Sequence, residues 1–503
     1  MKRDTRDIAK GWLVNFSGVI AGSVNVLFYI FLSRAFGART VGLFILARSI
    51  VDILSKIGIL GLDRGILAVG ARHHARKDEG GLYRAVAQGL LTGVVASLAV
   101  LVLLQAVLVP LLARVYPKTE LIEPLRIMSF GIVFWTVSLI LLAATRSLRI
   151  MKYQVIVSNL VEPLVMFALA LISYSLDMGI VALAWAFTAA LAAGTAASLT
   201  FFSREFSLRR IAGHLFEKEG RGRLFRYAAP IGVYDMMNLL LQRVDLFVLN
   251  HFTGAATVGV YSMAQNAAFT FKKIRQSFDP ILIPVISAAR HLDNQADLLE
   301  HYRNVTRWIL ILNMLLLGVV LFASESIMGI FGEAFTAGAW PLVLLTASVM
   351  VNTVLGVSEL FILIDRPMIN LVNTILTIAA ALGLNLYLVP PHGMAGAAVA
   401  VFLSYAFMNA LRLAEVHFFY RLQPFTRFHL KALLAAAVSF GVTYFVKVKV
   451  VPAGGVATDL LLVAVFMLLY GLALLLAGMA GEEKAFADKL LRLAGLRKEG
   501  AGR

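Results

Sequence analysis

Windows of twenty or more largely apolar residues recur along this chain from end to end, and no other feature constrains its fold as tightly. A helix rising ~1.5 Å per residue needs about 20 such residues to cross a hydrocarbon layer about 30 Å thick. Backbone N–H and C=O groups find no water inside lipid, so a spanning segment satisfies them within itself as a helix, or within a closed barrel. Barrels show short alternating segments, whereas the runs here are long and continuous. Composition agrees, with 60% of residues hydrophobic and 15% charged, against about a quarter charged in a soluble domain. The expected fold is an all-α, polytopic integral membrane protein.

Breaks at charged or Gly/Pro-rich stretches predict 14 transmembrane helices, near 9–33, 41–63, 83–110, 124–146, 153–174, 178–203, 226–250, 255–283, 305–330, 338–364, 368–389, 394–420, 428–447 and 457–479. The opening Met-Lys-Arg-Asp-Thr-Arg-Asp resembles a signal-peptide start. The run after it is too long, holds Asn15 and Asn25, and lacks a small-x-small cleavage site, so it reads as a retained first helix. Lysines and arginines sort by side, 32 on the N-terminal side against 7 on the other. That bias places both termini in the cytoplasm, N-in and C-in, in a multi-pass protein of the cell inner membrane. The net charge of +17 is thereby explained by topology, and no nucleic-acid partner is expected.

With no cysteine, thiol catalysis, cysteine zinc sites and disulfides are excluded. The nine histidines show no metal-ligand spacing, and no phosphate loop is present. No metal, catalytic group or cofactor is therefore expected, and energy would come from H+ or Na+ coupling. No loop is long enough to be a domain of its own.

An internal repeat organises the chain. Thr40-Val41-Gly42 after the first helix matches Thr257-Val258-Gly259 after the seventh. Phe31-Leu-Ser-Arg-Ala-Phe36-Gly parallels Phe247-Val-Leu-Asn-His-Phe252-Thr, with one residue inserted in the second copy, and Gly179-Ile-Val-Ala182 parallels Gly393-Met-Ala-Gly396. The expected organisation is two pseudo-symmetric six-helix lobes, 1–203 and 226–420, joined by a basic cytoplasmic linker at 204–225. Two further helices follow in 421–480, and a basic amphipathic tail in 481–503, suited to anionic membrane lipid or a cytoplasmic partner.

At these residues the sequence resembles a known family. Leu32-Ser-Arg-Ala-Phe-Gly-Ala-Arg-Thr-Val-Gly-Leu-Phe-Ile-Leu-Ala47 is similar to the first-to-second-helix signature of polysaccharide flippases. Pro230-Ile, Asp245-Leu-Phe-Val-Leu and Val258-Gly-Val-Tyr-Ser-Met-Ala264 resemble their seventh-to-eighth-helix segment. Pro284-Val-Ile-Ser287 and Leu386-Tyr-Leu-Val-Pro390 with Gly393-Met-Ala-Gly-Ala-Ala398 also fit. The resemblance implies the polysaccharide transporter (O-antigen flippase) family of the multidrug/oligosaccharidyl-lipid/polysaccharide exporter superfamily. It further implies translocation of an undecaprenyl-pyrophosphate-linked oligosaccharide, with polymerase and other polysaccharide assembly proteins as partners. A lipid II-type flippase has the same helix count. An integral-membrane polymerase or ligase, an enzyme rather than a transporter, typically carries a large external loop that this chain lacks.

Ionisable residues in a bilayer cost roughly 2.5–3.5 kcal/mol each on insertion scales, so each needs an account. Arg48, Asp52 and Lys56 lie four apart and share one helical face. They form either an ion-pair ladder packing the second helix or a cationic cavity wall in which Asp52 holds the arginine. Asp235, Asn238 and Gln242 lie on one face of the seventh helix, near Arg243 and Asp245. Arg48, Lys56, Arg243, Asp52 and Gln242 are the substrate-binding candidates, because guanidinium and ammonium groups replace the lost hydration of a pyrophosphate. Glu162, Asp52 and Asp235 are the ion-coupling candidates; Pro163 beside Glu162 frees a backbone carbonyl that can assist. Lys272, Lys273 and Arg275 sit either at a cavity mouth or as snorkelling cations.

Overall fold

The computed structural model describes residues 2–115, 120–217, 221–272, 295–450 and 455–476, and among these all regular structure is helical. Lys273, Arg275 and the expected tail at 481–503 lie outside the described residues. The helices are α1 (Lys2–Ile59), α2 (Leu62–Ala75), α3 (Glu79–Leu103), α4 (Val109–Val115), α5 (Ile122–Met128), α6 (Gly131–Ser147), α7 (Lys152–Ile156), α8 (Glu162–Ser175), α9 (Ile180–Glu205) and α10 (Leu208–His214). They continue as α11 (Arg221–Leu241), α12 (Val244–Thr253), α13 (Ala255–Phe269), α14 (Gln295–Gly329), α15 (Ala339–Leu355), α16 (Ser358–Asp365), α17 (Pro367–Tyr420), α18 (Arg427–Lys449) and α19 (Val456–Leu476).

Among the described residues, nine helical stretches are long and apolar enough to cross a membrane. Leu468 and Leu476 on α19 are 74% and 80% exposed, a cost that water would impose and lipid does not. This is a multi-pass membrane protein. One stretch, Met368–Tyr420, is interrupted by a turn at Gly393, where φ is 54° and ψ is −129°.

Local departures from α-helix have readable causes. One-turn π-helices at Leu104–Leu108 and Val157–Val161 each stand just ahead of a proline, Pro110 and Pro163. A proline ring has no N–H and displaces the carbonyl four residues back, and the wider turn absorbs the displacement. The seventh helix was expected to run unbroken over 226–250. It stops at Leu241 and restarts at Val244, because the amides of Gln242 and Arg243 turn back to the carbonyls of Leu239 and Leu240 at 3.1 and 3.0 Å.

The repeat is visible in the backbone. Gly37 has φ 73° and ψ 171°, and Gly254 has φ 88° and ψ 174°. Side-chain-bearing residues are almost excluded from that region, so only glycine makes this turn cheaply. Gly37 therefore matches Gly254 and not Thr253, which places the inserted residue of the second copy before the glycine. From there the copies run in step. A Cβ added to Gly42 would collide with the carbonyl oxygen of Ala255, and one added to Gly259 would collide with that of Ala38. Ala38 matches Ala255 as Gly42 matches Gly259, so the contact is a local two-fold in which equivalent glycines admit the partner's backbone.

The chain divides into two compact units. In the first (1–263, 330–335 and 374–400), α6 packs on α9, α2, α3 and α1, around a core that includes Ile59, Leu62, Ile66, Val86, Leu141 and Phe202. Ser138 and Ser198 hydrogen-bond at 2.8 Å, and Thr195 donates to the Phe134 carbonyl at 2.7 Å, tying α6 to α9. In the second (264–329, 336–373 and 401–503), α14 packs on α15, α18 and α19. Phe466 stacks on Phe440 at 4.8 Å, and its ring fills the space left by Gly318.

Candidate functional site

Beyond Gly37, α1 carries Arg48, Asp52 and Lys56. Arg48 Nη1 donates to the Tyr29 hydroxyl at 3.0 Å, and Nε lies 3.6 Å from the Asp52 carboxylate. Its guanidinium stands 5.7 Å from the Phe187 ring centroid. The side chain is 38% exposed and that of Asp52 is 23% exposed, so the arginine is fixed on one side and open on the other. Glu162 also interacts electrostatically with Arg48. It begins α8 directly after the π-turn, in the space left by Gly194 of α9. Arg48, Asp52, Glu162 and Tyr29 thus form one cluster.

Lys56 does not complete an ion-pair ladder. Its ammonium rests over Trp135 of α6, 5.1 Å from the ring centroid. It is within electrostatic reach of Asp235, which forms an ion pair with Arg64 of α2 at 3.1 Å. That bridge fastens α2 to α11 beside a second glycine contact, where Gly61, at φ 71°, abuts the backbone of Ala228 and Gly232. The α11 amides fold back on their own helix: Asn238 Nδ2 donates to the Tyr234 carbonyl at 2.9 Å and Gln242 Nε2 to that of Asn238 at 3.1 Å. Arg243 belongs to a separate cluster. It occupies the break before α12 and interacts with buried Asp245, which accepts from the Tyr261 hydroxyl at 2.8 Å.

In the second unit, Lys272 Nζ sits 3.8 Å from the Phe269 centroid and 5.7 Å from that of Tyr405. A polar network there was not anticipated. Arg412, 1% exposed, donates to Asn370 Oδ1 from Nη2 and Nε at 2.9 and 3.2 Å. Its Nη2 lies 3.4 Å from Glu359, and Asn373 donates to both oxygens of Glu415. The available signal was an arginine and a glutamate three residues apart in a run otherwise long enough to span.

The geometry defines a multi-helix membrane protein with fixed, partly open charges among its helices. The polysaccharide biosynthesis protein family model matches residues 31–339, and the chain belongs to that family. Over 191 residues it is 25% identical to the probable low-salt glycan biosynthesis flippase Agl15 of Haloferax volcanii, a match covering 37% of this chain and 40% of that protein. The chain thus aligns with less than half the length of this relative. The fold is that of lipid II flippase MurJ in an inward closed conformation, with a TM-score of 0.75 and 13% identity over 92% of this chain and 97% of that one. An inward-facing multidrug resistance MATE family transporter of the MOP superfamily shares this fold at a TM-score of 0.61 and 15% identity, over 78% and 93% of the two chains.

Proposed function

We propose that this protein is a flippase that moves a polyprenyl-pyrophosphate-linked oligosaccharide across the cytoplasmic membrane for cell-surface polysaccharide biosynthesis. The supporting observation is Arg48, held by Tyr29 and Asp52 yet 38% exposed, in a helix of a polysaccharide-biosynthesis family member. A pyrophosphate cannot enter hydrocarbon with its charges unpaired, and a fixed guanidinium fork replaces part of its hydration. The head group passes by alternating access of the repeated halves while the polyprenyl tail stays in lipid. Fourteen spanning helices with both termini cytoplasmic, lobes at 1–203 and 226–420, and residence in the inner membrane complete the reading.

Arg48, Lys56 and Arg243 serve the substrate, with Asp52 and Gln242 in support. Glu162, Asp52 and Asp235 are the groups for H+ or Na+ coupling. The protein acts as a transporter rather than an enzyme, among anionic lipids and beside polymerase and assembly proteins. The test is export of the lipid-linked sugar in cells carrying Arg48→Ala, Arg243→Ala or the corresponding lysine variants at matched protein levels. Loss in alanine with partial recovery in lysine supports the reading. Unimpaired surface polysaccharide from both alanine variants overturns it, and a defect confined to peptidoglycan reassigns the substrate to a lipid II-type precursor.

A further inference from the structure

We propose that a cavity walled by α2, α3 and α11 is a docking site for the pyrophosphate of the incoming substrate, on the cytoplasmic side. Substrate and sidedness rest on the function proposed above; the cavity and its charge do not. Its volume is about 760 Å³, and Arg72, Arg76, Arg84 and Arg226 line it. Asp78 is the only acid among its described lining residues. That carboxylate is already engaged, by His73 Nδ1 at 2.7 Å and by the Gly81 amide at 2.8 Å, and both contacts hold it below the usual carboxylate range. Arg84 turns to Glu217 at 3.1 Å. Among the described residues no acid holds Arg72, Arg76 or Arg226. Three guanidinium forks without acidic partners, converging on one cavity, fit a dianion rich in terminal oxygens.

The position of the cavity fits an entry step. Arg48, Lys56, Arg64 and Arg72 recur every eight residues, about 12 Å apart where the chain is helical. Arg72 stands at the cavity, Arg64 closes α2 to α11 through Asp235, and Lys56 and Arg48 follow. Opening of the Arg64–Asp235 bridge would free the cation that stands next along the chain from the cavity. Bilayer phospholipids present a single phosphate charge to the same chemistry, so the test separates them from a pyrophosphate.

The chain has no cysteine, so Tyr227→Cys places a single thiol at the cavity wall. Its alkylation by a water-soluble maleimide is followed in full-length protein in phosphatidylcholine nanodiscs, with inorganic pyrophosphate, farnesyl pyrophosphate or added phosphatidylglycerol as probes. Both pyrophosphates should slow the reaction, farnesyl pyrophosphate at lower concentration. Arg72→Gln with Arg76→Gln, and separately Arg226→Gln, should raise the half-protecting concentration about tenfold or more, with partial recovery in the lysine variants. Equal protection in wild type and glutamine variants overturns the site, as does protection by phosphatidylglycerol with none by pyrophosphate. Labelling in intact cells but not in inverted vesicles overturns the sidedness. Pyrophosphate binding that survives in Arg48→Ala, with export lost, supports a docking step distinct from transport. Binding in the cavity without any export of lipid-linked sugar leaves the site standing and removes the proposed function.

Discussion

The reciprocal glycine contact offers the sharpest perturbation. A Cβ at Gly42 would fall closer to the Ala255 carbonyl than carbon and oxygen ever approach, and one at Gly259 would do the same at Ala38. The obstacle is backbone on both sides, so no rotamer change relieves it and the two turns must separate. Overpacking of this kind costs about 1–3 kcal/mol, equivalent to roughly a 5- to 150-fold loss of the population in which the two turns touch. Because the two collisions share one contact, the first substitution opens the space that the second would need. Gly42→Ala with Gly259→Ala should therefore cost little more than either alone, giving a coupling energy close to the single cost. The assay is a distance distribution between spin labels at Thr40→Cys and Thr257→Cys, together with the thermal midpoint of the purified protein. Single variants that keep the wild-type distance and midpoint would refute the steric argument. Costs that simply add would refute the shared contact.

Gly37→Ala meets no neighbouring atom within 4 Å, yet its positive φ should cost about 1–3 kcal/mol, read as a lower midpoint with an unchanged label distance. Gly194→Leu should displace Glu162 and impair export as strongly as Glu162→Gln; normal export at the usual ion dependence in both would remove Glu162 from the mechanism. Exchanging the Arg64–Asp235 pair, as Arg64→Asp with Asp235→Arg, should recover export lost in either single variant, and no recovery would show that the pairing itself is not what matters. Asp78, held below its ordinary value near 3.8 by the Gly81 amide and His73, caps α3 in its charged form. A lowered folded value means stabilisation present above the ordinary value and lost as pH falls through the folded one. Protection of the Gly81 amide should then fall only below about pH 3.8, and Asp78→Ala should abolish that pH dependence.

Apolar run length and the scarcity of charge determined, with no structure, that the chain is helical and crosses a membrane many times, because lipid admits few other backbones. The same scarcity drew attention to Arg48 and Glu162, which the fold then placed in one cluster. Spacing along a helix also brought Arg48 and Asp52 together correctly, since residues four apart meet on any α-helix. Partners supplied by other helices were invisible to that logic. Lys56 left the ladder for the face of Trp135, Asp235 took Arg64, and Arg412 found Asn370 and Glu359, all through contacts between distant segments. The repeat was legible as matched triplets, but its register was not. Two glycines with nearly the same dihedral angles decided where the extra residue lies, because φ and ψ are properties of the folded backbone. The basic cavity likewise needed α11 to bring Arg226 beside α2 and α3, a convergence that no local pattern in the chain encodes.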